Sequence, residues 1–259
     1  MANMKVIILA GGLGTRLAEE TDQIPKPMVT IGSKPILWHI MKSYASHGFN
    51  EFIICGGYKI SAIIEYFVNY RSHSSNLTVD IGRNEITYLS DAPEDWKVTI
   101  VDTGEHTQTG GRLKRVREHL PPDQPFCMTY GDGVCDVDLS AVIAYHQSRG
   151  FEATLTAVRP PARFGSTIIE NGRVINFSEK AIGGEDYING GFFVLNHSVF
   201  DLIHDDSTVW ERGPLEMLAE RGTLGAYVHD GFWQPMDTLR DRRHLEQLWQ
   251  SGQAPWMRR

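Results

Sequence analysis

Short apolar runs alternate along this chain with longer segments whose apolar positions recur every third or fourth residue. Val6 to Leu9 is a continuous apolar run of the kind that fills a buried parallel strand. The next segment, SKPILWHIMKSYASHG, sets Ile36, Leu37, Ile40, Met41 and Tyr44 on one helical face, with Pro35 at the first helical position and Gly48 as the stop. FIIC (52–55) reads as a strand, SAIIEYFVNY as a helix capped by Ser61, VTIVD as a strand and GGRLKRVREHL as a helix. PFCMTY, DLSAVIAYHQSRG and ATLTAV continue the alternation as strand, helix and strand. The pattern predicts an α/β fold: a single Rossmann-like domain whose mostly parallel, mixed sheet is flanked by helices on both faces.

The second half is less regular. GRVINFSE and INGGFFVLN read as strands, PLEMLAERG and DTLRDRRHLEQLW as helices. Residues 69–97 are polar with strand-like pieces such as EITYL, and read as a small β-rich excursion, an insertion or a subunit contact. No repeat, low-complexity tract or Pro/Gly linker divides the chain, so residues 1–259 are taken as one domain.

Composition narrows the function classes. Net charge is −7, from 25 basic against 32 acidic residues, which argues against a nucleic-acid partner because such partners need a phosphate-neutralising basic face. A small anionic substrate needs only a few local cations. The three cysteines, Cys55, Cys127 and Cys135, form no CxxC pair and read as reduced core residues of a cytoplasmic protein. No apolar stretch approaches the ~20 residues of a membrane helix, so no membrane association is expected. No basic and apolar leader precedes the first strand, and Met4 is a second candidate start.

Gly11, Gly12 and Gly14 follow the first strand, where glycines let the backbone turn sharply and bring N–H groups close to an anion. The Walker loop fails, because no Lys-Ser/Thr follows the glycines. The dinucleotide fingerprint fails as well: Leu17 stands at the third glycine, and no acidic residue closes a second strand. Two cations remain close in sequence, Arg16 and Lys26. Lys26 lies between two prolines, and Pro27 keeps it out of a helix. A glycine cradle with two converging cations suits a triphosphate; a glycine turn with two solvated charges is the plainer alternative.

LAGGLGTRL followed by PKPM resembles the signature of the sugar-1-phosphate nucleotidyltransferases. IVDTGEHTQTGGRLKR, TYGDGV, INGGFFVLN and GFWQPMDTLRD are similar to the glucose-1-phosphate cytidylyltransferases among them. The resemblance runs from Met4 to about Trp256. It implies attack of a glucose 1-phosphate oxygen on the α-phosphorus of CTP, release of pyrophosphate and formation of CDP-glucose, for CDP-deoxysugar and surface polysaccharide synthesis. It also implies Mg²⁺ and a homo-oligomer, for which residues 69–97 are the candidate contact. UTP or dTTP in place of CTP, a nucleotide-sugar sensor and a dinucleotide-binding oxidoreductase are the competing readings.

The same resemblance distributes roles. Arg16, Lys26 and Asp132 are the expected catalytic residues. The nucleotide falls to Leu9, Ala10, Gly11, Gly12, Leu13, Gly14, Thr15, Arg16, Lys26 and Gly131, with Thr107, Gly110, Gly111 and Arg112 at the cytosine edge. Glu179, Lys180, Asn189 and Gly190 are expected on the sugar phosphate. Ala181 departs from the family's Glu-Lys-Pro and loosens that loop. Asp132 and Asp237 are the expected metal ligands. Read from local sequence alone, Asp132 suits an Asp-Gly turn and Asp237 the N-cap of the helix that follows. Gly190 and Gly191 equally suit a bulge in a core strand. His39 is expected to be packed or exposed rather than catalytic, and Phe232 and Trp233 to be core.

Overall fold

The structure, a computed structural model, describes residues 4–14, 17, 21, 24–160 and 187–257, with the backbone alone for 166–170 and 173–178. Seven strands build the central sheet. They are β1 (Val6–Leu9), β2 (Glu51–Gly56), β5 (Lys97–Asp102), β6 (Phe126–Tyr130), β8 (Ala153–Val158), β11 (Ile188–Leu195) and β12 (Leu224–His229). The intervening numbers belong to the hairpin β3 (Leu77–Asp80) and β4 (Glu85–Tyr88), the short β7 (Gly133–Cys135), and the hairpin β9 (Ser166–Glu170) and β10 (Arg173–Ser178). The order across the sheet is β12-β8-β11-β6-β1-β2-β5. All pairings are parallel except those of β11, which runs antiparallel to both β8 and β6.

The apolar runs are buried because both faces of the sheet are covered. On one face lies α1 (Ile36–Ser46), with Ile36, Leu37, Ile40, Met41 and Tyr44 packed on Val6, Ile8 and Phe52. On the other, Ile7 and Met128 meet Leu113, Val116, Phe193 and Trp210. Truncating a side chain such as Ile8 in this layer costs ~2–5 kcal/mol through lost burial and the cavity left behind. α4 (Leu139–Arg149) is capped at both ends: Asp138 Oδ1 accepts from the N–H groups of Ser140 and Ala141, and Gly150 adopts φ +67° at the other end.

Three local expectations, on Ser61, Pro35 and GGRLKRVREHL, are corrected, and those on His39 and EITYL hold. The helix after β2, α2 (Ile60–Val68), is not capped by Ser61, which lies inside it; Lys59 precedes it at φ 50°. Pro35 stands just before α1 rather than at its first turn. GGRLKRVREHL splits into α3 (Thr109–Arg115) and a 3-10 turn (Arg117–His119). His39 is fully buried: its Nε2 faces Ile31 O at 3.0 Å and its Nδ1 meets the Trp256 indole N–H at 3.3 Å. The 69–97 excursion carries the β3–β4 hairpin, and Val79, Ile81, Ile86 and Leu89 are exposed on it. Among the described residues no helix is long and apolar enough to cross a membrane. The three cysteines are free and buried, and burial pushes each thiol up to about 12.

Candidate active site

Parallel strands carry their C-terminal ends to one edge of the sheet, where β1 and β6 open a crevice. The direction of β11 completes this edge. Phe192 pairs with Thr129, so the start of β11, Asn189 to Gly191, lies beside the end of β6, Tyr130 to Asp132. A cleft of about 580 Å³ lies here, the size of a small-molecule site.

One wall is the glycine turn. After the Ala10 N–H bonds Cys55 O at 3.0 Å, the chain turns through Gly11 to Gly14, and Gly14 takes φ +65°. Among the described residues, the N–H groups of Gly11, Gly12, Leu13 and Gly14 have no hydrogen-bond partner. A run of open backbone donors beside a cleft is suited to phosphate oxygens. Gly131 closes against this wall: its N–H bonds Leu9 O at 3.0 Å, and a Cβ there would stand 3.0 Å from the same oxygen.

The floor is ionic. Lys26 Nζ lies 2.7 Å from Asp132 Oδ2 and 2.7 Å from Asp237 Oδ1. Burial disfavours the ammonium, but the two carboxylates outweigh it and hold the Lys26 pKa above its ordinary 10.5. Both local alternatives can now be judged. Asp132 sits between β6 and β7, and β7 pairs with β13 (Trp233–Pro235). The Met236 N–H bonds Asp132 O at 2.8 Å, which fastens Asp237 beside it. Asp237 does not cap the helix that follows, α6 (Leu239–Gln250). Thr238 does, its Oγ1 accepting from the Asp241 N–H, while the Asp241 carboxylate takes the N–H groups of Asp237 and Thr238. The Asp237 side chain faces Lys26 instead of the helix N-terminus. Two carboxylates already converging on one cation at the cleft fit a divalent metal with oxygen preference.

Three residues expected at the cytosine edge have other tasks in this structure. The N–H groups of Gly110 and Gly111 both bond Thr208 O, at 2.9 and 3.2 Å. A Cβ on Gly110 would stand 2.7 Å from Thr208 O, and one on Gly111 2.6 Å from Asp206 Cα. Their close approach is to the 206–208 turn. Arg112 is 4% exposed, and its guanidinium donates to Gly56 O, Thr103 Oγ1, Gly104 O, Gly11 O and Glu105 O at 2.7–3.1 Å. It ties the ends of β1, β2 and β5 together. A Cβ on Gly11 would lie 2.1 Å from its Nη1, so the glycine is needed for this contact. Thr107 is buried and lines the cleft.

A side cavity of about 40 Å³ adjoins the cleft through Tyr130 and Asp132 and is lined by Asn189, Gly190, Gly191 and Trp233. The bulge reading of the glycines holds here too: the β8–β11 register shifts between Leu155 and Ala157, and Gly191 takes φ +81° with a Cβ position 2.5 Å from the Tyr130 ring. Trp233 is only partly core, since its indole N–H bonds Gly190 O at 2.7 Å on the cavity wall; Phe232 stacks on Trp256. Thr15, Arg16, Glu179 and Lys180 lie outside the described residues. Sequence reasoning passed over Thr109 and Tyr130, although each falls inside a quoted motif, and put Trp233 in the core. Their side chains carry both polar and apolar surface, so nothing local separates lining from packing.

The nucleotidyl transferase family model matches residues 5–230, and the chain belongs to that family. It is an enzyme of nucleotidyl transfer, and such enzymes generally use a divalent metal. The glucose-1-phosphate cytidylyltransferase of Salmonella typhi is 57% identical over 253 residues, covering 98% of both chains. The probable glucose-1-phosphate cytidylyltransferase of Bacillus subtilis (strain 168) is 44% identical over 254 residues, covering 98% of this chain and 99% of the relative. Among solved structures, HddC from Yersinia pseudotuberculosis complexed with GMP-PN superposes with a TM-score of 0.70 at 25% identity, covering 95% of this chain and all of that one.

Proposed function

We propose that this enzyme transfers the cytidylyl group of CTP to glucose 1-phosphate. An oxygen of the sugar phosphate forms the new bond to the α-phosphorus, the bond to the β-phosphate oxygen breaks, and pyrophosphate leaves with CDP-glucose as product. The observation that carries the reading is the meeting of Lys26, Asp132 and Asp237 at the foot of a cleft walled by open glycine N–H donors. The identity to cytidylyltransferases supports the base and the sugar.

The reaction joins two polyanions, so its needs are positioning and charge neutralisation. The glycine turn would hold phosphate oxygens by backbone donors, with Arg16 beside it. Asp132 and Asp237 would hold Mg²⁺, which supplies Lewis-acid neutralisation of the phosphates. Lys26, released from sharing its ammonium between the two carboxylates, would face the charge that builds on the leaving pyrophosphate. Asn189, with Glu179 and Lys180, would hold the sugar phosphate. The exposed apolar residues of the β3–β4 hairpin support a homo-oligomer through 69–97, and three free buried thiols suit the cytoplasm.

Pyrophosphate release tests the reading directly. With glucose 1-phosphate and Mg²⁺, release is expected with CTP. Release with UTP or dTTP alone would move the base assignment, and silence with every triphosphate from folded protein would end it.

A further inference from the structure

Glu211 lines neither cavity, yet it joins them. It lies between Trp210 and α5 (Pro214–Glu220). Its Oε2 accepts from the Thr109 hydroxyl at 2.6 Å, and its Oε1 accepts from the Tyr130 hydroxyl at 2.5 Å. Thr109 lines the cleft at the first turn of α3; Tyr130 lines both the cleft and the side cavity.

The direction of every hydrogen bond in this chain can be assigned. Both hydroxyl groups donate to the Glu211 carboxylate. The Thr109 oxygen then accepts from the Trp210 N–H at 2.9 Å, and the Tyr130 oxygen from Asn189 Nδ2 at 3.4 Å. Asn189 Oδ1 accepts from the Gly191 N–H at 2.8 Å, which fixes the amide with its nitrogen toward Tyr130. The Tyr130 ring also stands where a Cβ of Gly191 would be. Thr109 is therefore linked through one carboxylate and one aromatic ring to the Asn189–Gly191 bulge.

We propose that Glu211 is a positioning residue that couples the nucleotide half of the site to the sugar-phosphate half, so that occupancy of one sets the geometry of the other. The inference rests on the assignment of the two halves made above. Bonds to a charged acceptor are the strong, directional ones, and a fully satisfied polar network is rigid.

The test is binding of glucose 1-phosphate by titration calorimetry, with and without a non-reactive analogue of whichever triphosphate the wild type turns over, CTP being the first choice. In the wild type the analogue is expected to tighten glucose 1-phosphate by about fivefold or more, an ordinary size for coupled sites. In Glu211→Gln, which keeps the shape but loses one acceptor, and in Tyr130→Phe, the tightening is expected to fall below about twofold, with the double variant no lower than either single. A purely structural role would lower the melting temperature and leave the coupling ratio intact. Unchanged coupling in folded Glu211→Gln and Tyr130→Phe overturns the inference, as does a wild type that binds both ligands independently. A wild type that binds neither overturns the functional reading along with it.

Discussion

Two buried cations stand at the same edge of the sheet and are neutralised in opposite ways. Lys26, 8% exposed, spends its charge on Asp132 and Asp237. Arg112, 4% exposed, spends its donors on four carbonyl oxygens and one hydroxyl, none of them charged. Burial pushes the Arg112 pKa down from its ordinary value, but a guanidinium stays protonated throughout the useful range. Among the described residues no carboxylate bonds this guanidinium, although Asp102 lies close enough to favour its charge, and the guanidinium contributes a positive field where phosphates are proposed to lie. The charge of Lys26 is cancelled until something else takes the two carboxylates. Arg112 ties the strand ends together; Lys26 is the cation that the proposed reaction would use.

Substitutions can break this contrast. The largest effect is expected at the ionic floor. Asp132→Asn, Asp237→Asn and Lys26→Gln should each lower turnover at saturating Mg²⁺ by about 10²–10³-fold, the scale of losing one electrostatic stabiliser. Asp132→Asn and Asp237→Asn should melt close to wild type, Lys26→Gln should melt lower because it leaves two facing carboxylates without their cation, and near-normal turnover in a folded Asp132→Asn protein would return Asp132 to a turn role. Next in size is Arg112→Lys. An ammonium cannot reach the five oxygens that the guanidinium spans, so stability should fall by about 2–4 kcal/mol in urea unfolding. The KM for nucleotide should rise more than kcat falls, and the reverse split would make Arg112 a catalytic group.

The pH dependence separates the two regions further. Lys26 holds its proton above 10.5 when folded, so its contribution is whole below pH 10.5 and is lost only as pH rises through the folded value. The stability difference between wild type and Lys26→Gln should therefore be flat from pH 7 to 9.5 (roughly one unit below the unfolded pKa). On the acid side, burial holds His39 and His146 below 6.5. The unfolded chain then binds more protons, and stability should decline as pH falls beneath 6.5 in both proteins alike. The smallest effect is expected of Thr238→Ala, about 1 kcal/mol from the lost cap of α6. Because Thr238 caps and Asp237 does not, its turnover should remain within a few-fold of wild type. A collapse of turnover there would mean the cap and the carboxylate cannot be separated.

The alternation of strands and helices and the burial of Val6–Leu9 were legible because apolar period is a local property. Part of the site was legible for the same reason: glycines mark tight approach, and carboxylates at strand ends mark an edge. What glycine does not reveal is the object approached. Gly110 and Gly111 signal close contact, and their neighbour is the 206–208 turn. Arg112 signals a cation without showing which oxygens it meets. Glu211, in WERG, carries no signal at all, because its partners lie 102 and 81 residues away.

By itself, then, the sequence determined the layers, the glycine turn and a short set of acids and bases able to handle phosphate. The tertiary structure alone decided which of them meet. It released Asp237 from capping by giving that task to Thr238, and it set Lys26 between two acids from distant parts of the chain. The physical reason is that charge–charge and hydrogen-bond energies depend on distances of a few ångströms, and the chain settles those distances only when β11 runs back against the sheet and β7 pairs with β13.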